Sequence, residues 1–311
     1  MSAIREALSK ETRFALADGR GIPCIGFGTY QIKEEECEAP VTCALKLGYR
    51  HIDTAQAYEN EEACGRALAA SQVPREEIFI TTKLWPGNPD WNQAPKTYEE
   101  TIECCEASIS KLGIQTCDLY LIHTPLGGGK DSRLAQYQGL LECQRRGYCT
   151  SIGVSNYGVK HLQEIADAGL PLPATNQLEL HPLNQKTELL TYMKQKGILP
   201  IAYSSLAPLS SWRAGQQSSK SEEQRARNVG IGRVASKYNG KSEAQILLRY
   251  ALQKGWAILP KSVNETRTLE NLDVFSFSLS NADMEELDSM ETGETFAFGS
   301  PGLPLDPTKC S

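Results

Sequence analysis

The sequence predicts an α/β protein, a single (β/α)8 barrel with an N-terminal β-hairpin and substrate loops at its C-terminal face. Three observations support this fold class. Strand-like and helix-like segments alternate along the chain. The strands are apolar on both faces, as parallel strands covered by helices are. About eight strand–helix units fit into about 270 residues, which suits a closed barrel better than an open doubly wound sheet. Residues 1–311 are therefore expected to form one domain.

The N-terminal half begins with a predicted hairpin. Its turn lies at Asp18-Gly19, a dipeptide typical of tight hairpin turns, and the chain then enters a first strand near Ile25. Beyond this strand, charged or amphipathic helical segments alternate with short, β-branched strands. We predict helices at 33–47, 61–70 and 97–112, and strands at 51–55, 78–84 and 119–123.

The C-terminal half continues the alternation. We predict helices at 132–146, 186–196 and 242–253, and strands at 151–156, 174–180, 198–206 and 256–261. Glycines close several of the helices or open the strands that follow, namely Gly48, Gly113, Gly147, Gly197 and Gly255. The polar interval 209–227 before the last strand is interpreted as a lid or binding loop. Residues 292–311 are rich in Gly and Pro and are expected to extend over a surface as a substrate-loop tail.

Composition excludes several classes of function. The net charge of −6 opposes nonspecific binding of nucleic acid. No apolar run approaches the length of a membrane span, and the N-terminus has no signal-peptide pattern. The ten cysteines include no Cys-x-x-Cys pair, so we expect reduced thiols, no metal site and a cytoplasmic location. A monomer is expected because no long exposed apolar surface is apparent.

Four ionisable residues fall at or just after the ends of three consecutive predicted strands. They are Asp53, Tyr58, Lys83 and His123. A lone His is more often a core residue, a lone Lys a solvated one and a lone Tyr a packing residue. In a barrel, however, the carboxyl ends of adjacent strands meet on one face, where the active site lies. We therefore expect the four side chains to meet there.

This set of residues fits a reaction in which a carbonyl oxygen is protonated. A phenol has a pKa of about 10, and the Lys83 ammonium is expected to lower the pKa of Tyr58 so that it can act as a general acid. Asp53 would hold Lys83 in place, and His123 would hydrogen-bond the carbonyl oxygen. There is neither a nucleophile–base pair nor a second carboxylate, so hydrolysis fits poorly. Protonation of oxygen while a hydride arrives at carbon fits well.

A hydride donor with a phosphate group has a candidate site after the last strand. The stretch "LPKSVNETRTLEN" places Lys261, Ser262 and Arg267 at the start of a helix, where barrels commonly bind phosphate. Two cations there favour NADPH over NADH. The glycine pattern "GIGRVA" at 230–235 is discounted as a dinucleotide site because no buried strand precedes it.

Several motifs occur in the order and spacing of the aldo-keto reductases, which the chain resembles from about Leu16 to Leu287. They are "HIDTAQAY", "TTKLW", "LIH", "GVSNY", "NQLELHP", "AYSSL" and "LPKSVNETRTLEN". The resemblance implies a barrel that binds NADPH without a Rossmann fold. It also implies that Tyr58 is the general acid of a tetrad completed by Asp53, Lys83 and His123.

The same resemblance implies a set of cofactor contacts. Around the nicotinamide they are Ser155, Asn156 and Gln177 at the carboxamide, the ring of Tyr203, and the adjacent Ser204 and Leu206. Around the 2′-phosphate and the adenine they are Lys261, Ser262, Val263, Asn264, Arg267, Glu270 and Asn271. Asn264 stands where Thr is common in the family, and its amide can still donate to a phosphate.

Two departures from the family concern the substrate pocket. Thr124 and Tyr30 stand where relatives often have Trp. The pocket is therefore expected to be less aromatic and wider at these positions, with Trp85 as its main ring. The tail would add Phe296 and Phe298.

Three functions agree with these residues. The first is an NADPH-dependent reductase of small carbonyl substrates, either aldehydes or ketones. The second is a barrel that senses NADPH and regulates a partner with little turnover. The third, Schiff-base aldolase chemistry at Lys83, is disfavoured because Asp53 would keep the amine protonated.

Overall fold

The computed structural model describes residues 8–209, 229–297, 299–300, 303–304 and 306–310. It begins with an antiparallel hairpin, in which β1 (Arg13–Ala15) pairs with β2 (Gly21–Pro23) around the predicted turn. The predicted binding loop at 209–227 falls almost entirely outside the described residues, and so does Phe298.

Eight parallel strands follow the hairpin and pair in chain order. They are β3 (Phe27–Gly28), β4 (His51–Asp53), β5 (Phe79–Leu84), β6 (Cys117–Ile122), β7 (Cys149–Ser155), β8 (Thr175–Glu179), β9 (Leu199–Tyr203) and β10 (Ala257–Ile258). The sheet closes on itself, because Ile25 forms a parallel bridge with Ile258 and the amide of Gly26 donates to the Ile258 carbonyl at 2.8 Å. The predicted (β/α)8 barrel is confirmed.

Helices cover the outside of this barrel. Those in the described residues are α1 (Glu34–Leu47), α2 (Glu61–Ala70), α3 (Tyr98–Lys111), α4 (Lys130–Arg145), α5 (Val159–Asp167), α6 (Thr187–Lys196), α7 (229–235), α8 (Glu243–Gln253), α9 (Glu265–Leu272) and α10 (Asn281–Asp288). Helices α5, α7 and α10 lie outside the predicted set. The discounted glycine pattern at 230–235 lies within α7 rather than in a strand-to-helix turn. None of the helices described is both long and apolar enough to cross a bilayer.

Helix ends follow ordinary capping chemistry. Helix α3 begins with a capping box, in which the Thr97 side chain accepts from the Glu100 amide while the Glu100 carboxylate accepts from the Thr97 amide. The predicted helix-closing glycines all adopt the left-handed conformation, with φ between 63° and 106°, which costs glycine little. Their positions are Gly48, Gly113, Gly147, Gly197 and Gly255.

The apolar core has two layers. The larger lies between the strands and the surrounding helices. The smaller fills the inside of the barrel, where Leu16 and Ile22 of the hairpin pack beneath strand residues such as Phe79, Leu119 and Ile201. Because the hairpin closes the N-terminal end, a cavity inside the barrel can open only at the C-terminal ends of the strands, where barrel enzymes bind substrates.

Candidate active site

The four predicted catalytic residues meet at the C-terminal end of the barrel. Asp53 ends β4, Lys83 lies in β5, His123 directly follows β6, and Tyr58 ends a single turn of 3-10 helix after β4. Lys83 Nζ lies 2.6 Å from Asp53 Oδ1 and 3.3 Å from Tyr58 Oη. Tyr58 Oη lies 3.5 Å from His123 Nε2. The structure therefore brings together a phenol, an ammonium and an imidazole.

Lys83 is completely enclosed. Its side chain has no exposed surface and donates to Asp53 Oδ1, to Tyr58 Oη and, at 2.8 Å, to the carbonyl of Thr54. The second carboxylate oxygen of Asp53 accepts from Gln177 Nε2 at 2.8 Å. Burial raises the pKa of Asp53 and lowers that of Lys83, while the attraction between the two groups opposes both shifts. The amine has no open side from which a carbonyl carbon could approach.

The prediction that Lys83 lowers the pKa of Tyr58 is wrong for the protein without bound ligand. Burial raises the pKa of this phenol well above its usual value, and the charge of Asp53 adds to the rise. Lys83 does not reverse the shift, because its charge is balanced by Asp53 at 2.6 Å. Tyr58 therefore carries its proton at neutral pH, which is the state in which a general acid begins its reaction.

His123 is a neutral imidazole. Burial, together with the positive charge of Lys83, holds its pKa well below the usual 6.5, so it is not charged near neutral pH. Nε2 faces Tyr58 Oη, and Nδ1 has no hydrogen-bond partner among the described residues. A neutral ring with its proton on Nε2 can donate a hydrogen bond to an oxygen that also meets Tyr58.

Burial of the neutral side chains of His51 and His123 is expected to make the protein less stable in acid. His51, two residues before Asp53, is also fully buried, and burial lowers its pKa to about 3. Because the folded-state pKa lies below the unfolded value of about 6.5, only the unfolded chain gains protons as the pH falls through this window. For each of these two histidines, the free energy of unfolding is expected to fall with decreasing pH by about 0.7 kcal/mol per pH unit at pH 6.5, and by nearly 1.4 kcal/mol per pH unit at about pH 5.

Urea unfolding between pH 7 and about pH 5 measures this slope. His51→Asn should remove the contribution of His51 and make the slope shallower. A slope that is the same in the variant and in the native protein would contradict the assigned protonation state.

A cavity of about 870 Å³ opens beside these residues. Asp53, Tyr58 and His123 form part of its wall. Of the six non-glycine residues with positive φ in the described chain, four also line it, namely Gln31, Glu59, Asn156 and Ser204. Such conformations persist where the surroundings enforce them, and they are concentrated at functional sites. The cavity wall is therefore shaped by the backbone as well as by side chains.

The predicted nicotinamide contacts all line this cavity. They are Ser155, Asn156, Gln177, Tyr203, Ser204 and Leu206. Tyr203 Oη donates to Asn156 Oδ1 at 2.6 Å, so two of these side chains hold each other in place. Ser205, which sequence reasoning missed although it lies in the same "AYSSL" motif, also lines the cavity. Its buried hydroxyl has no hydrogen-bond partner among the described residues, which suits a polar ligand beside it.

The predicted phosphate and adenine contacts continue along the turn after β10 and along α9. Of them only Lys261 lines the cavity, whereas Ser262, Val263, Asn264, Arg267, Glu270 and Asn271 lie outside its lining. Burial lowers the pKa of Lys261, and the positive charge of Arg267 adds to the shift. Neither cation forms an ion pair within the described chain. Asn264 caps α9, since its Oδ1 accepts from the Arg267 amide at 3.0 Å.

The substrate side of the cavity is more aromatic than predicted. Tyr30, Trp85 and Phe296 line it, as expected. Trp91, which sequence reasoning missed, also lines it, and its ring stacks on Trp85 with 5.7 Å between centroids and an interplanar angle of 18°. Trp91 ends a single turn of 3-10 helix at Pro89–Trp91, which is too short for a periodic pattern to mark the side that it faces.

Thr124 does not occupy the position expected of it. Its side chain is fully buried, and it is not among the residues that line the cavity. Side chains alternate in direction along an extended segment, so when His123 faces the cavity its neighbour points away. Direct contact between Thr124 and a substrate therefore finds no support in the structure.

Comparison with known proteins agrees with this geometry. The sequence model of the Aldo/keto reductase family matches residues 24–292. An aldo-keto reductase of Mycolicibacterium smegmatis is 40% identical over 91% of this chain and 94% of its own length. A glyoxal reductase of Bacillus subtilis is 38% identical over 90% of this chain and 92% of its own length. A Bombyx mori aldo-keto reductase solved in complex with NADP is 30% identical, with a TM-score of 0.79 over 93% of this chain and 95% of its own.

Proposed function

This chain belongs to the aldo/keto reductase family, a family of NAD(P)-dependent oxidoreductases, and on that premise we propose that it uses NADPH to reduce small aldehydes or ketones to alcohols. The observation that carries the proposal is the position of Tyr58 Oη. It lies 3.3 Å from the Lys83 ammonium and 3.5 Å from His123 Nε2, on the wall of the cavity.

In the proposed reaction NADPH, when bound, supplies the hydride that reaches the carbonyl carbon. Tyr58 donates its phenolic proton to the carbonyl oxygen, and His123 orients that oxygen with an Nε2–H hydrogen bond. The phenolate that remains lies beside Lys83, whose charge stabilises it, and Asp53 keeps Lys83 in place. The enclosed amine of Lys83 does not fit Schiff-base chemistry.

Steady oxidation of NADPH with a panel of aldehydes, ketones and sugars tests this function. Turnover with at least one carbonyl class is expected, and its loss in Tyr58→Phe would assign it to this site. NADPH binding without turnover of any carbonyl would instead favour a regulatory barrel that senses the cofactor.

We propose that Lys261 and Arg267 select NADPH over NADH through its 2′-phosphate. Both are cations without an acidic partner in the described chain, and a dianionic phosphate forms strong charge-assisted hydrogen bonds with such groups. Structural neighbours were solved with NADP or NADPH, including the Bombyx mori enzyme with NADP and a single-residue variant of Gox0644, a protein 34% identical to this chain, with NADPH.

Arg267→Ala is expected to raise the Kd for NADPH about tenfold, which corresponds to about 1.4 kcal/mol. The Kd for NADH should change little, because NADH has no 2′-phosphate. Fluorescence titration with both dinucleotides measures the difference. An equal loss of affinity for NADPH and NADH would argue against a phosphate contact.

Trp91→Ala is expected to raise the KM for an aromatic aldehyde about threefold to tenfold, the effect of losing one aromatic contact. A short aliphatic aldehyde, which is too small to reach the Trp85–Trp91 stack, should be affected less. Trp91→Phe serves as the matched control, because it keeps an aromatic ring beside Trp85. Equal changes in KM for both aldehydes would contradict a substrate contact at Trp91.

A further inference from the structure

A buried carboxylate holds the C-terminal tail against the cavity. Glu179, the last residue of β8, is only 3% exposed. Its Oε1 accepts from the amide of Phe296 at 2.7 Å, and its Oε2 accepts from the amide of Ala297 at 3.0 Å. His181 Nε2 lies 3.1 Å from Oε1. Both oxygens of Glu179 are therefore bound to a chain segment 117 and 118 positions away.

These hydrogen bonds fix the position of a segment that has no regular secondary structure of its own. Residues 291–297 contain neither helix nor strand. The amides of Thr292 and Glu294 donate to the carbonyl of Leu183 at 3.1 and 3.2 Å, which attaches the beginning of the tail to the loop after β8. For Phe296 and Ala297, the Glu179 carboxylate accepts from both backbone amides. The carboxylate thus sets where this part of the tail lies.

The position that Glu179 sets is part of the cavity wall. Phe296 and Ala297 both line the cavity, and the Phe296 ring lies 5.4 Å from the ring of His181. Residues two apart on a strand face the same side, so Glu179 shares its face of β8 with Gln177, which binds Asp53. One strand face therefore supports both the catalytic ion pair and the tail.

We propose that Glu179 is a positioning residue that determines substrate specificity through the tail. It holds Phe296 at the cavity wall without contacting substrate itself. The position of Phe296 then determines how well a carbonyl substrate with a bulky substituent binds. This inference rests on the proposed function as far as substrate preference is concerned. The docking of the tail by Glu179 can be tested without any turnover.

Glu179→Gln tests the docking first. The amide keeps the size of the side chain, but it presents an N–H donor where the tail also presents donors. Hydrogen exchange of a peptide covering 291–297 should become about tenfold faster in the variant, because Gln keeps one acceptor oxygen and one of the two amides, that of Phe296 or that of Ala297, loses its acceptor. Unchanged exchange would overturn the proposal, whatever the enzyme's activity.

The second readout is specificity. In Glu179→Gln the ratio of kcat/KM for a bulky aromatic aldehyde to that for a short aliphatic aldehyde should fall about tenfold, mainly through KM of the aromatic substrate. Phe296→Ala should produce the same shift. Combining the two substitutions should add little, because they act on one wall. Additive effects, or no change in the ratio, would contradict a positioning role.

Glu164→Gln is the matched control. Glu164 is also a buried carboxylate, bound by Arg133 at 2.8 and 2.9 Å, but it lies on α5 outside the cavity. The Glu164→Gln variant should be less stable than the native protein, but the ratio of kcat/KM for the aromatic aldehyde to that for the aliphatic aldehyde should not change. A similar shift in both variants would show a general loss of stability and overturn the proposal. If the native protein reduces no carbonyl, the proposed function fails, while the exchange experiment still decides whether Glu179 docks the tail.

Discussion

Tyr58→Phe is expected to lower kcat for carbonyl reduction about a thousandfold, within the range that general acid catalysis contributes. The variant loses only the phenolic oxygen, which is the atom that Lys83 and His123 both approach. The neighbouring groups do not replace this acid, because Lys83 is enclosed and His123 is a neutral imidazole, which can donate a hydrogen bond but is a very weak acid. Single-turnover kinetics with saturating NADPH and aldehyde measure the chemical step directly.

NADPH affinity provides the control for this variant. Tyr58 is not among the residues proposed to bind the dinucleotide, so the Kd for NADPH should stay within about twofold, less than 0.5 kcal/mol. Retained turnover in Tyr58→Phe would remove Tyr58 as the proton donor. A large loss of NADPH affinity would mean that the effect arises from binding.

Lys83→Met should be the most damaging substitution for stability. It leaves the buried Asp53 carboxylate without its counter-charge, and such a loss typically costs about 3–5 kcal/mol. It also removes the charge that stabilises the Tyr58 phenolate, so activity should fall at least about a hundredfold. Chemical denaturation and steady-state kinetics measure the two effects separately.

The double variant Lys83→Met with Asp53→Asn separates stability from catalysis. Removing both charges avoids an unpaired buried ion, so much of the lost stability should return. Activity should not return, because the phenolate still lacks its cation. Recovery of activity together with stability would mean that Lys83 serves the fold alone.

Local patterns in the sequence were sufficient to predict the barrel and the proximity of four ionisable side chains at one end of it. Alternating strands and helices, with glycines that end helices, define the units, and a barrel places the ends of consecutive strands on one face. Asp53, Lys83 and His123 could therefore be brought together from their positions in their strands. The hydrogen bonds among Lys83, Tyr58 and His123 agree with that reasoning.

Other features depend on information that local patterns do not contain. The pKa of Tyr58 depends on the balance between burial and a nearby charge, and burial outweighs the charge. Thr124 directly follows His123 in the chain, but its side chain points away from the cavity that His123 lines. Trp91 lies in a single turn of 3-10 helix, which is too short to show a periodic pattern. The contact between Glu179 and the tail joins residues 117 positions apart, and no motif connects them.

Transfer of the hydride from NADPH to the carbonyl carbon can be followed with an isotope label. The protein is incubated with an aldehyde and NADPH that carries deuterium at the transferable position of the nicotinamide, and the alcohol product is analysed by mass spectrometry. One deuterium is expected at the former carbonyl carbon, in an alcohol that Tyr58→Phe forms about a thousandfold more slowly than the native protein. Alcohol without deuterium, or equal rates in the two proteins, would contradict this prediction.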